Sequence, residues 1–293
     1  MTIVQALVNG LLVGSVWAIL GLGKQLVLGV IHFVNFAHGH LVLVGMYLSY
    51  IVWQYSGLDL TLVIPVVAIS MFAVGLLLNA ALVRHLVGRD EQSQVVATLA
   101  LALIIENTAL IVFSPQPRSV NSWWADSSFQ VAGIYVNWGQ FLGLAVSAAT
   151  FAGVWFFVTR TPMGILIRAT SQNSKSAQYQ GVRTKEVYAV AFGLSVALAG
   201  LVGAILVISM PVEPTTAWSF LVIMFVVPVL GGMGSIPGTA IAGLLVGIIQ
   251  VFTSTFVSIQ LQNAAVYVLF LVFLVLRPQG LLGKSTHQEK VSV

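Results

Sequence analysis

The chain has 293 residues, of which 58% are hydrophobic and 7% charged, with a formal net charge of +4; its mean hydropathy is +1.00. A soluble domain carries charge on roughly a quarter of its residues, so a water-soluble globular protein is excluded and the composition is that of an integral membrane protein. No cysteine is present, which removes disulfides and thiolate metal sites from consideration.

A crossing helix needs about 20 mostly apolar residues to span about 30 Å of hydrocarbon. The opening MTIVQALVNGLLVGSVWAILGLG lacks a basic leader and an A-x-A cleavage site, and it reads as a first span near 3–28. Further spans are expected near 39–54, 60–83, 94–113, 138–158, 187–209, 218–230, 239–257 and 263–277. The expected fold is therefore an all-α polytopic helix bundle of about 8–10 transmembrane segments, forming a single domain over 1–293. Two segments are short and read as broken or re-entrant: 39–54 follows the polar NFAHGH, and 218–230 runs into GGMGSIPG.

Polar residues inside such segments carry information because burying them is costly. Asn35, His38 and His40 cluster ahead of the second segment. A His pair at i and i+2 does not share a helix face, so metal binding is not expected. These side chains either line a pathway or cap a broken helix. Glu106 and Asn107 fall in the middle of the fourth span. Glu106 either meets a substrate ammonium or gates a path, or it fixes helix packing through hydrogen bonds.

Residues 114–137 form an external loop containing Trp123 and Trp124, with Trp138 just beyond. They read as an interfacial aromatic belt or as part of a dock for an external protein, together with PVEPTTAW, which Pro211 and Pro214 stiffen. The loop 159–186 is the most polar stretch. In it Asn173 is a candidate N-cap and Gly181 a candidate C′ residue, bounding a two-turn helix from Ser174 to Gln180 about 10 Å long. Ala177, Tyr179 and Val182 offer it small apolar contacts. Its basic residues either only set topology or belong to a docking surface for a cytoplasmic partner.

Pro228 is expected to kink its span, and Gly231, Gly232, Gly234, Pro237 and Gly238 to break the helix as a hinge or turn. The pentapeptide GLLVG occurs at 10–14 and again at 243–247. Each copy is a small-x-x-x-small pattern that permits close helix approach, and the recurrence reads as coincidence more readily than as an internal repeat. If 84–93, 159–186, 278–293 and the chain around Lys24 share one side, that side holds every Lys and Arg except Arg118. The positive-inside rule makes it cytoplasmic, with the N-terminus outside and the C-terminus inside.

Four stretches together resemble the permeases of branched-chain amino-acid ABC importers, the LivH/LivM type. They are the Asn35 to Gly39 motif in its N-terminal setting, the pattern Gly164, Arg168, Ala169, Ala177, Gly181, Val182 in the polar loop, GGMGSIPGTAIAGLLVG at 231–247, and LRPQGLLG at 276–283. The resemblance spans nearly the whole chain. It implies an inner-membrane subunit of a bacterial or archaeal importer, in which 171–183 is the coupling element that fits a groove on an ATPase. Its implied partners are two cytoplasmic ATPase subunits, a second permease subunit (a paralogue or a copy of itself), an external solute-binding protein and the lipid bilayer, with no nucleic acid. Path candidates are Asn35, His38, Glu106 and Asn107.

The chain contains no G-x-x-x-x-G-K-[ST], H-E-x-x-H or G-x-S-x-G. No catalytic, metal or cofactor residue is therefore expected on it, and ATP with Mg would be used by the partner subunits. The expected cargo is a branched-chain or other hydrophobic amino acid; urea, short amides or aromatic acids are the alternatives. A stand-alone channel or secondary transporter would be expected to carry more buried acids than Glu106.

Overall fold

The computed structural model describes residues 2–283. Helix α1 (Thr2–Leu26) continues through a π-helical turn, Val27–Ile31, and stops where His32 turns left-handed at φ 53. After an irregular stretch come α2 (His38–Ser56), α3 (Leu60–Leu78) with a second π turn at Asn79–Val83, α4 (Arg84–Leu86) and α5 (Glu91–Phe113). A short α6 (Trp123–Asp126) precedes an antiparallel hairpin of β1 (Ser128–Val131) and β2 (Ile134–Asn137). Its two-residue turn has φ 49 at Ala132 and 82 at Gly133, the positive pair that matches hairpin twist. Then follow α7 (Trp138–Arg160), α8 (Pro162–Gln172), α9 (Ser174–Tyr179), α10 (Thr184–Ser209), a 3-10 turn at Pro214–Ser219, α11 (Phe220–Gly231), α12 (Ile236–Phe256), a 3-10 turn at Ile259–Leu261 and α13 (Gln262–Leu276).

Eight segments among the described residues are long and apolar enough to cross a membrane. The expected segment 39–54 is the one of the nine outside this set. It is helical as α2, but His38, His40 and its Tyr, Ser and Gln residues lower its hydropathy. The expected 218–230 segment is α11, entered through the 3-10 turn.

Glycine seams hold the core. A Cβ on Gly247 would lie 2.3 Å from the Cα of Gly14, and one on Gly243 2.4 Å from the Cα of Ala18. The two GLLVG segments are thus opposite sides of one α1–α12 seam. A second seam joins α10 to α3, where Gly75 meets Gly193, and to α2, where Gly45 meets Gly200. The order long helix, break, shorter helix, long helix, helix occurs twice, as α1–α2–α3–α5 and, in the opposite direction, as α10–α11–α12–α13. The packing follows it: α1 lies on α12 as α10 lies on α3, and α11 on α1 as α2 on α10. The fold therefore contains an inverted repeat. The GLLVG copies do not mark it, because α1 and α12 occupy different places in the two halves.

One end of the bundle gathers the start of α1, loop 57–59, residues 114–137 and 210–213. Trp124 Nε1 donates to Asp59 (3.1 Å), and Arg118 and Val212 exchange backbone hydrogen bonds of 2.9 and 2.8 Å. Gln5 imitates a strand there, donating to the Tyr135 carbonyl (2.6 Å) and accepting from its amide (2.9 Å). Trp123, Trp138 and Phe129 pack together at this end. The other end carries α8, α9, loop 87–90, turn 232–235 and residues 277–283, with Arg84, Arg89, Arg160, Arg168, Lys175, Arg183, Lys185 and Arg277. Lys24 does not belong to that basic surface. It is 0% exposed, inside the bundle. The remainder of the expected C-terminal segment, with Lys284 and Lys290, lies outside the described residues.

The 231–238 stretch is a turn between α11 and α12. Gly232 and Gly234 take φ 92 and 88, Ser235 caps α12 by accepting from Gly238 N at 3.1 Å, and Pro237 occupies its first turn. The last carbonyls of α11 have partners: Leu230 O accepts from Leu281 N (2.7 Å) and Gly231 O from Leu282 N (3.2 Å). The LRPQGLLG motif thus supplies the C-terminal cap of α11.

Candidate functional site

The stretch 32–37 between α1 and α2 exposes backbone groups that must be paired inside the bundle. Val34 N donates to Gln94 Oε1 (3.0 Å) and Phe36 N to Thr98 Oγ1 (3.1 Å), both on α5. Asn35 Oδ1 accepts from Ala37 N (2.9 Å). Lys24 Nζ donates to the Asn35 carbonyl, and its ammonium stands 4.1 Å from the Phe225 ring centroid. A buried ammonium needs such partners, a carbonyl and an aromatic face. Gly39 lets α2 begin against the 3-10 turn, because a Cβ there would be 2.8 Å from the Ala217 carbonyl oxygen.

One helical step further, three side chains from separate elements meet. Trp218 Nε1, on the 3-10 turn, donates to Glu106 Oε2 on α5 at 2.8 Å. His40 Nε2, on α2, lies 3.6 Å from the same oxygen, and the His40 and Trp218 rings pack edge-on with centroids 4.8 Å apart. The Glu106 side chain keeps 13% of its exposure. The starts of α2 and α11 converge beside it, so two positive helix ends border a carboxylate.

Above this trio, α2 and α5 diverge around a groove of about 300 Å³ lined by apolar side chains. At its far end Tyr47 and Phe113 stack, centroids 4.1 Å apart and planes at 13°. Arg118 reaches that closure, donating from its guanidinium to the Phe113 carbonyl at 3.3 Å.

The expected path residues therefore separate. Glu106 is at the trio. Asn35 and His38 sit beneath it within the buried network around Lys24, and the His38 ring is fully buried beside Gly23. Asn107 faces outward and donates to the Leu103 carbonyl on its own helix (2.8 Å). Lys24, Gln94, Thr98 and Trp218 were not foreseen. Charge counting places Lys24 at the cytoplasmic surface, and Trp218 enters the sequence reading as the end of the candidate docking loop PVEPTTAW. His40, expected with Asn35 and His38 to line a pathway or cap a broken helix, is at the trio.

The polar loop is built from local caps. Thr161 accepts from Gly164 N (3.1 Å) to start α8, and a Cβ on Gly164 would fall 2.2 Å from the Phe157 carbonyl oxygen. Asn173 accepts from Ser176 N (3.0 Å) to start α9. Gly181, at φ 84, ends it. Its amide bonds to Gln178 O (2.9 Å) and that of Val182 to Ala177 O (3.1 Å), the paired bonds of a Schellman motif. The expected helix is one residue shorter than anticipated. Gln178 Nε2 then ties α9 to Thr184 at the start of α10 (2.9 Å). Ala177 is turned inward rather than offered as a contact, and Val182 is half-buried, while Arg168 and Ala169 are exposed. Tyr179 is 88% exposed.

A family model described as "Branched-chain amino acid transport system / permease component" matches residues 6–276. The chain is 26% identical to the high-affinity branched-chain amino acid transport system permease protein BraD of Pseudomonas aeruginosa, over 96% of this chain and 95% of that one. It is 24% identical to the corresponding protein LivH of Salmonella typhimurium, over 96% and 95%. To the probable branched-chain amino acid transport permease protein LivH of Methanocaldococcus jannaschii it is 28% identical, over 82% and 78%. No solved structure matches it.

Proposed function

The chain belongs to the family of permease components of branched-chain amino acid transport systems, and we propose that it couples to two cytoplasmic ATPase subunits through α9. It is a transmembrane permease subunit of an ABC importer. In the proposed assembly it pairs with a second permease subunit and receives a branched-chain or other hydrophobic amino acid from an external binding protein. ATP and Mg are bound and turned over on the partner subunits. The end bearing α8 and α9 is cytoplasmic, by its Arg and Lys residues, and the end bearing the hairpin is outside.

The observation that carries this reading is α9 itself: a helix capped at both ends, hydrogen-bonded to α10, and presenting Tyr179 almost fully to solvent on the basic end. An exposed Tyr on a rigid support is the kind of residue that anchors a protein interface. Because α9 is fixed to α10, which is buried along its length and packs on α1, α2 and α3, force applied there reaches the bundle core. Solute then passes by Glu106, His40 and Trp218 in an alternating-access cycle.

The test uses the assembled complex in proteoliposomes with Tyr179→Asp and Gly181→Asp. Both are expected to lower binding-protein-stimulated ATP turnover by about tenfold or more and to weaken ATPase copurification, with the permease's own unfolding midpoint little changed for Tyr179→Asp. Undiminished turnover and copurification in both variants would remove α9 from the coupling path.

A further inference from the structure

We propose that the groove between α2 and α5 is the subsite for the transported solute's side chain, with Glu106, next along α5 from the groove-lining Ile105, receiving the solute's ammonium below it. This rests on the permease reading and adds to it where selectivity is exercised within the membrane. The solute it fits is a zwitterion with a branched aliphatic side chain.

The chemistry is arranged in order along the groove. At the base, Glu106 uses Oε2 for Trp218, and no donor among the described residues hydrogen-bonds to Oε1. A carboxylate with a free oxygen inside a bundle is a partner for an ammonium group. Beside it His40 is 1% exposed, and neither ring nitrogen has a hydrogen-bond partner. Buried polar atoms are normally paired, so the ring holds unmet hydrogen-bonding capacity beside Glu106. From His40 to Tyr47, and from Glu106 to Phe113, the helices climb seven residues, about 10 Å. That length holds an amino-acid backbone and one aliphatic side chain.

The wall is apolar. Leu43, Ile105 and Ala109 line it, Thr108 contributes the hydroxyl at its edge, and the volume is about 300 Å³, at the lower end of small-molecule sites. A sugar or an acidic side chain placed here would lose hydrogen bonds to water without replacement, a loss worth about tenfold or more in selectivity. Toward the outer end Tyr47 stacks on Phe113 and forms one wall of the groove, which continues past them to Ile51. Arg118 links that stack to the outer loops, through the Phe113 carbonyl and through its backbone pairing with Val212. A binding protein pressing on those loops therefore acts on the outer wall of the groove.

Two other occupants, a lipid acyl chain and the second permease subunit, are outcomes of the experiment. In the full complex in proteoliposomes, Ala109→Leu fills the groove and is expected to lower leucine uptake at least about fivefold relative to alanine uptake. Parallel loss of both, or loss of neither, overturns the proposal. Thr108→Cys gives the chain a single thiol. Its labelling by a thiol-reactive probe is expected to slow when leucine-loaded binding protein and ATP are turning over. Labelling indifferent to leucine, as with lipid in the groove, or a cross-link from Cys to the second subunit, overturns it. If the wild-type complex shows no binding-protein-stimulated ATP turnover, the importer reading has failed, separately from the groove.

Discussion

Gly247→Ala tests whether the glycine seam sets the spacing of α1 and α12. The added Cβ would lie 2.3 Å from both the Cα and the amide nitrogen of Gly14 and 2.5 Å from the Gly10 carbonyl oxygen. Comfortable carbon contacts are about 3.5–4.0 Å, so the helices are too close by over an ångström, and the obstructing atoms are backbone that cannot change rotamer. Separating the axes enough to relieve this also opens Gly10 from Ile248 and Gly243 from Ala18, which meet at 2.7 and 2.4 Å on the same measure. Overpacking of this kind costs about 1–3 kcal/mol, against about 1 kcal/mol gained from the helix propensity of Ala over Gly; the net expectation is a loss of up to about 2 kcal/mol. Gly153 on α7 is the control, because nothing stands within 4 Å of its Cβ position; Gly153→Ala keeps only the propensity gain. Unfolding midpoints of the two purified variants in the same detergent should move in opposite directions. Equal or greater stability for Gly247→Ala than for Gly153→Ala would refute the seam.

Thr98→Val keeps the shape of the side chain but leaves Phe36 N without its acceptor, an expected loss of about 1–3 kcal/mol in the same unfolding assay, which Thr98→Ser should largely avoid. Gly280→Ala forces a Cβ onto a residue at φ 78, 2.5 Å from Gly232 N. It should loosen the cap on α11, read as about tenfold faster hydrogen exchange at the amides of Leu281 and Leu282, and unchanged exchange would remove the cap assignment. The Asp59 carboxyl is held below its ordinary pKa by hydrogen bonds from the Thr61 hydroxyl, the Thr61 amide and Trp124. A depressed folded value stabilises above the unfolded pKa of about 3.9 and is lost as pH falls through the folded value. The midpoint gap between wild type and Asp59→Asn should thus be constant from pH 5 to 8 and close below about pH 4, a small effect because the carboxyl is mostly exposed; a gap that widens in acid would contradict the assignment.

What was legible in the sequence was local. Asn173 and Gly181 announce the ends of α9 because an N-cap and a left-handed C′ residue act over a few positions. The break at 231–238 was equally plain from its Gly and Pro content. Lys24 was misread for a physical reason: charge counting assumes that a Lys near a helix end reaches water, whereas the acceptor for this one is a carbonyl freed only by the irregular turn after Ile31. The pairing of Glu106 with Trp218 joins residues 112 apart in the chain, and no periodicity reports it. Both GLLVG copies were recognised as close-packing patterns, but that they face each other follows from the antiparallel placement of α1 and α12. The inverted repeat itself left no comparable mark, since its halves share the order of elements and not the letters.

That repeat also separates what is stiff from what is soft. The helices α1, α3, α10 and α12 are locked to one another at glycine contacts where backbone meets backbone. Helix α5 makes no such contact. Besides apolar packing at Ala102 and Ala109, it is held by the ties of Gln94 and Thr98 to the 32–37 stretch, the bond between Glu106 and Trp218, and the stack of Phe113 on Tyr47. Each tie is a polar or aromatic pair contributing about 1 kcal/mol, and two of the four lie at the ends of the groove. Displacing α5 therefore disturbs the groove and the Glu106 site first and the glycine seams last, which is the order a bundle needs if it is to admit a solute without coming apart.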